Sequence, residues 1–184
     1  DLQISMDVIM DNSSEFIITG DADLTLLSEL KISAGGVKST AGTLSFQGGG
    51  QLTGTGIIDF TESTWVTGSS IIKHNGGSFV FYKTNLRLGK DTTLQSDQAI
   101  NIALLELNGF ILTLDNATTD LTVEKSLIID ESTEGISTGD ADLILKSALI
   151  MSDGILQSSG GIIKFASNQT SRFSGNAVMM LAGT

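Results

Sequence analysis

Proline and cysteine are both missing from this chain, which holds one tryptophan, one tyrosine and one histidine in 184 residues. Without cysteine there is no disulfide framework and no thiolate chemistry. A lone histidine with no thiol leaves too few ligands for a zinc site. Basic residues are scarce as well: ten Lys and Arg against 21 Asp and Glu give a net charge of −11. That balance excludes nucleic acid, because a phosphate binder needs a basic stripe to displace counterions, and it favours a cation as ligand. Long apolar runs are also lacking. A bilayer crossing needs about 18 apolar residues, and the longest candidate, Ala99 to Leu107, is short and contains Asn101 and Glu106.

What is present is 21 glycines, abundant serine and threonine, and a hydrophobic share of 40 %, enough to bury a sizeable core. This mixture favours short strands and turns over helix.

The hexapeptide TGDADL occurs twice, at Thr19 to Leu24 and Thr138 to Leu143, and it marks a longer repeat. At an offset of 119 residues, positions 1–46 align without a gap on positions 120–165, with 21 of 46 identical. The chain therefore reads as one continuous unit over 1–184, with a full copy at 1–119 and a partial second copy at 120–184.

A finer rhythm lies inside the unit. Apolar pairs separated by one residue, the mark of a strand with one buried face, run Leu2/Ile4, Leu24/Leu26, Leu44/Phe46, Phe79/Phe81, Ile100/Ile102, Leu121/Val123, Leu143/Leu145 and Ile163/Phe165. Steps are 20 to 22 residues, apart from a gap of 35 between Leu44 and Phe79. A second track follows at Val8, Leu30, Leu52, Ile72, Leu86, Leu105, Leu127 and Leu149. A third runs through Ile17, Val37, Ile58, Leu94, Leu112, Ile136 and Leu156.

Three tracks recurring about every 20 residues predict an all-β fold: a three-sided, right-handed parallel β-helix, or β-solenoid, in which six turns make one 119-residue unit. Nine rungs at ~4.8 Å would give a rod of roughly 43 Å. The absence of proline follows, since a strand paired on both edges has no place for a residue without an amide proton. A β-sandwich would not generate the 20-residue step. The glycine-rich stretch Gly48 to Asn75 breaks the pattern and predicts an irregular rung or an outward loop.

The segments LELNGFILTLDNATTDLTV (Leu105 to Val123) and KISAGGVKSTAGTLSF (Lys31 to Phe46) resemble rungs of the β-helical stalks of large bacterial surface and secreted adhesins, the haemagglutinin-like and autotransporter-type passengers. The resemblance rests on pattern and composition and transfers no catalytic residue. It implies an extracellular, stalk-like or adhesive role at the cell surface, often within a much longer polypeptide; together with the coil, the expected function is a structural segment of an extracellular fibre or adhesin.

Two readings fit the repeated aspartates. Alternation that turns Leu24 and Leu26 inward turns Asp21 and Asp23 outward, and stacking sets Asp1 beside Asp23 and Asp120 beside Asp142. Crowded carboxylates repel unless a cation relieves them, which makes Asp1, Asp21, Asp23, Asp120, Asp140 and Asp142 candidate Ca²⁺ ligands. Alternatively, each aspartate caps a corner by accepting nearby backbone amides. Asp11 and Glu15, with their copies Asp130 and Glu134, are expected as solvated turn residues. His74, beside Asn75-Gly76-Gly77, is expected at an exposed corner.

Enzymatic function is not expected. A carbohydrate-cleaving β-helix gathers carboxylates and often a basic residue on one face, and neither Arg87 nor Arg172 falls near an aspartate cluster. Three N-x-[ST] sequons, at Asn12, Asn116 and Asn168, fail to recur at the repeat offset and carry no signal. Neither end supplies a capping element, so the expected setting is an excerpt of a longer array, or chains stacked end to end. The alternative function is a polysaccharide-binding or polysaccharide-cleaving module of the phage tailspike kind, acting on a host or polysaccharide surface.

Overall fold

The computed structural model describes residues 1–68, 71–115 and 119–181, without the side chains of Ile71 and Phe79. The Asn116 sequon and the Phe79 side chain thus lie outside the described residues. All regular structure among them is β-strand, and neighbouring strands pair in parallel.

The strands visit three walls in strict rotation. The first wall carries Leu2–Ile4, Leu24–Leu26, Thr43–Phe46, Thr64–Thr67, Asn85–Leu88 and Leu104–Glu106, then Leu127–Ile129, Leu149–Met151 and Arg172–Phe173. Val8–Met10 and Leu30–Ile32 begin the second wall, which ends with Ile111–Leu114, Gly135–Ser137, Ile155–Ser158 and Val178–Leu181. The third wall opens with Phe16–Gly20 and Gly36–Ser39 and closes with Ile100–Ile102, Leu121–Val123, Leu143–Leu145 and Ile163–Phe165. Two long strands, Gly50–Phe60 and Ile71–Val80, turn a corner and serve both the second and third walls. Thr92–Ser96 follows them on the second wall. The result is a β-solenoid of eight turns and two strands of a ninth, with a step of about 21 residues.

Alternation decides what is inside. In strand after strand the two flanking residues point inward and the middle one outward, as with Leu24/Leu26, Leu121/Val123 and Leu143/Leu145, all at most 1 % exposed. Each fully buried aliphatic side chain contributes about 1.5–3 kcal/mol of transfer free energy. Because every turn repeats the arrangement, like side chains stack into columns along the axis. Around the middle of the rod the columns turn aromatic: Phe46, Phe60, Trp65 and Phe81 pack together, with Trp65 and Phe81 stacked at 5.4 Å.

That aromatic region is where the sequence pattern misleads. Of the irregular rung or outward loop expected from Gly48 to Asn75, the described residues show the irregular rung: glycines let strands bend around corners, at Gly54 with φ 60° and at Gly76 and Gly77, where the register also slips by a bulge. The apparent jump from Leu44 to Phe79 hides a first-wall strand, because Leu44 pairs with Trp65 and Trp65 with Leu86. One indole fills the volume, and its partner position is Thr67, whose hydroxyl lies 2.7 Å from that of Thr92, so no apolar pair shows in the sequence. Having lost that strand, the sequence tracks exchange walls. Ile72 pairs with Leu94 rather than leading to Leu86, and Ile58 pairs with Phe79 rather than leading to Leu94.

The repeat length is corrected by the same count. Leu2 stands on the first wall and its repeat partner Leu121 on the third. The unit of 119 residues thus spans five and two-thirds turns of about 21 residues, not six, and the second copy is rotated by one wall relative to the first.

Candidate functional site

The two TGDADL hexapeptides build the same corner on different walls, one leading from the third wall to the first and the other from the second to the third. In each, an alanine amide closes a tight turn on a threonine carbonyl: Ala22 on Thr19 at 3.0 Å and Ala141 on Thr138 at 2.9 Å. Both turns need a left-handed glycine, Gly20 with φ 60° and Gly139 with φ 57°. The carbonyl of that glycine then accepts amides from the following turn, Thr40 and Ala41 at the first corner, Ser159, Gly160 and Gly161 at the second.

The aspartates complete these corners. Asp1 Oδ1 accepts the Asp23 amide at 3.4 Å, and Asp23 Oδ1 accepts the Thr43 amide at 2.7 Å. In the second copy Asp120 Oδ1 accepts the Asp142 amide at 2.9 Å, and Asp142 Oδ1 the Ile162 amide at 2.8 Å. At a corner the chain turns away from the ladder, so an amide there does not face a carbonyl of the adjacent turn, and a carboxylate one turn away supplies the acceptor. Asp91 does the same for Ile111, Asp97 for Gly76 and Asp7 for Glu29. The Ser28 hydroxyl, which also donates to Asp7, is the main reason that carboxyl titrates below the usual range.

The structure therefore brings Asp1 to Asp23 and Asp120 to Asp142, in the register the apolar pairs predict. Among the described residues, the carboxylates of Asp21 and Asp140 join neither pair by a hydrogen bond, and no group of three or more acidic or histidine side chains is gathered closely enough to hold a metal ion.

Glu15 and Glu134 brace a second kind of corner. Glu15 Oε2 accepts the amides of Asp11 and Asn12, and Glu134 Oε2 those of Asp130 and Glu131. Glu134 is not solvated as the sequence suggests but 6 % exposed, because a turn lies above it and donates the Gly109 amide to its Oε1 at 3.1 Å.

His74 is likewise inside, 4 % exposed, rather than at an open corner. It lies on the second wall between Leu52 and Ser96, with Nδ1 2.8 Å from the Ser96 hydroxyl and 3.5 Å from Asp97 Oδ1. Burial lowers its pKa, against the pull of Asp97. Serine and aspartate both approach the same ring nitrogen, and Ser96 is 1 % exposed, so these three do not form a nucleophilic relay.

A recess of about 460 Å³ opens on the outer second wall. Gly135 forms its floor between Ile111 and Ile155, its partners on either side, and Asp91, Phe110 and Gln157 stand on its rim. Gln157 Nε2 donates to Ser137 Oγ at 3.0 Å. Nothing in the repeat pattern marked this recess; the signal available was the glycine at an outward strand position. Of the two arginines, Arg87 pairs with Glu106 at 2.7 Å and Arg172 lies on the last first-wall strand.

No helix among the described residues is long and apolar enough to cross a membrane. Compared with protein-family models, curated proteins and solved structures, the chain matches none.

Proposed function

We propose that the chain is a structural segment of an extracellular fibre or bacterial surface adhesin, acting as a stiff rod. The observation that carries this reading is the stack of eight turns: a parallel ladder that runs the length of the second wall, ladders over parts of the other two, carboxylate-capped corners and a single hydrophobic core along the axis. Such a coil resists bending because any kink would break ladder bonds on one wall and open the core on another. Copies of the chain, or neighbouring repeats of a longer array, extend the rod; catalysis is not part of this reading. Pulling single molecules by atomic force microscopy tests it. Stepwise unfolding at high force, in increments of about one or two turns, is expected, and compliant unfolding at low force would overturn the reading.

The recess over Gly135 favours a second reading, the binding of polysaccharide. Its aliphatic sides suit the C–H face of a sugar ring, and the carboxylate, amide and hydroxyl groups on its rim suit sugar hydroxyls. Titrating neutral oligosaccharides while following amide shifts around Gly135 tests it: shifts abolished by Phe110→Ala support it, and no shift at millimolar sugar sinks it.

A further inference from the structure

Among the described residues, the corners that lead from the third wall to the first are built alike, with one exception. Residues 21–23, 40–42, 61–63, 81–84, 124–126, 146–148 and 166–171 each turn such a corner in three residues or more, whereas Ala103 alone joins Ile100–Ile102 to Leu104–Glu106. The Ala103 amide donates to Thr84 on the turn before, and its carbonyl accepts the Lys125 amide from the turn after. The short corner thus leaves a notch between two longer ones, whose backbones lie two strand spacings, roughly 9.5 Å, apart. The recess there is about 420 Å³, in the range of small-molecule sites. Ala103, 7 % exposed, forms its floor, Tyr82 and Lys83 stand on one side, and Glu124 and Lys125 stand on the other with Asn101 beside them.

Two features set this notch apart from the rest of an acidic surface. Tyr82, the only tyrosine, is 58 % exposed, with Lys83 Nζ over one face of its ring at 5.1 Å from the centroid. The charges at the notch also sum to a positive value. Lys83 pairs with Glu62 at 2.8 Å, and Glu124 accepts from Lys146 Nζ at 2.7 Å and from the Asn101 amide. Each carboxylate is thus matched by a lysine, and Lys125, which forms no ion pair among the described residues, leaves one positive charge over in a chain of net charge −11. We propose that the notch binds a carboxylated sugar, a hexuronate unit of an acidic polysaccharide. The C–H face of the pyranose lies against the open face of Tyr82, the sugar carboxylate pairs with Lys125 Nζ, and ring hydroxyls bond to Asn101 and Glu124. This goes beyond both the rod reading and the recess over Gly135, which lies on the second wall and has Asp91 on its rim.

Titrating the isotope-labelled chain with a glucuronate-containing disaccharide, its neutral glucose counterpart and acetate tests it by amide shifts. Shifts centred on Ala103 and Lys125 should saturate at millimolar acidic sugar, with the neutral sugar about fivefold weaker and acetate without effect. Lys125→Gln should weaken the acidic sugar about fivefold, to the level of the neutral one, and raised salt should act in the same direction. Tyr82→Ala should weaken both sugars about tenfold. Both side chains are exposed, so neither substitution should move the melting temperature. Equal affinity for the two sugars, an equal response to acetate, or variants that bind as the unmodified chain does would overturn the proposal. Shifts confined to the surroundings of Gly135 would also overturn it while supporting the second reading. A chain silent to every sugar refutes both sites and leaves the rod reading, which is measured by force, intact.

Discussion

Leu2 and Leu121 are the same residue of the repeat, yet they stand on different walls of the coil. A unit of five and two-thirds turns can be copied without distortion only if the three walls and three corners are interchangeable. The paired TGDADL corners, with matching turns, glycine dihedrals and carboxylate acceptors, show that they are. Interchangeability is a consequence of the parallel ladder, which presents the same donors and acceptors at every wall.

Corner glycines should differ sharply in what they tolerate. Gly20 has φ 60° and open space where a Cβ would stand, so Gly20→Ala should cost only its backbone strain, about 1 kcal/mol. Gly35 has φ 72° and a Cβ there would meet the Glu15 carbonyl oxygen at 2.2 Å, so Gly35→Ala should cost at least about 3 kcal/mol. Urea denaturation of the two variants measures the gap; equal losses would contradict the packing.

The aromatic centre should be the most sensitive part of the core. Phe60 is fully buried and touches Phe46, Trp65 and Phe81, so Phe60→Ala should destabilise by about 3–5 kcal/mol. Trp65 is the only tryptophan, so the shift of its fluorescence with denaturant reads the loss directly.

Capping and Ca²⁺ coordination make opposite predictions for the aspartates. As an amide acceptor, Asp142 should tolerate Asn, which keeps an oxygen, and lose about 1 kcal/mol on change to Ala. Thermal melts should then be the same with EDTA and with millimolar Ca²⁺. A melting temperature raised several degrees by Ca²⁺, and lost in Asp142→Asn, would show that the carboxylates hold the ion.

Acid should loosen the second wall through His74. Burial lowers its pKa below the ordinary 6.5, so the folded state binds that proton less readily than the unfolded chain. The contribution is complete above about pH 6.5 and is lost as pH falls through the lower folded value. Asp97 is the charged group that faces the ring, and its attraction reduces the effect without reversing it. Melting temperature should fall between pH 7 and pH 5.5, and His74→Gln should flatten that slope; an equal slope in the variant would exclude His74 as its source.

Much of this was legible without coordinates. Strand alternation at Leu24/Leu26 and Leu143/Leu145 gave the parallel coil, and the same pairs gave the register that seats Asp1 by Asp23 and Asp120 by Asp142. What misled was volume and polarity. Trp65 with Thr67 fills a slot that two aliphatics fill elsewhere, and His74 with Ser96 places polar groups where the pattern allows only apolar ones.

The sequence by itself determined that the chain coils in steps of 20 to 22 residues and which side of each strand faces inward, because those depend on a period of two within strands and a longer one between them. Only the tertiary structure decided which strand follows which on a wall. A polar pair closed by its own hydrogen bonds is as stable inside as an apolar one, and that closure depends on neighbours about 20 residues away.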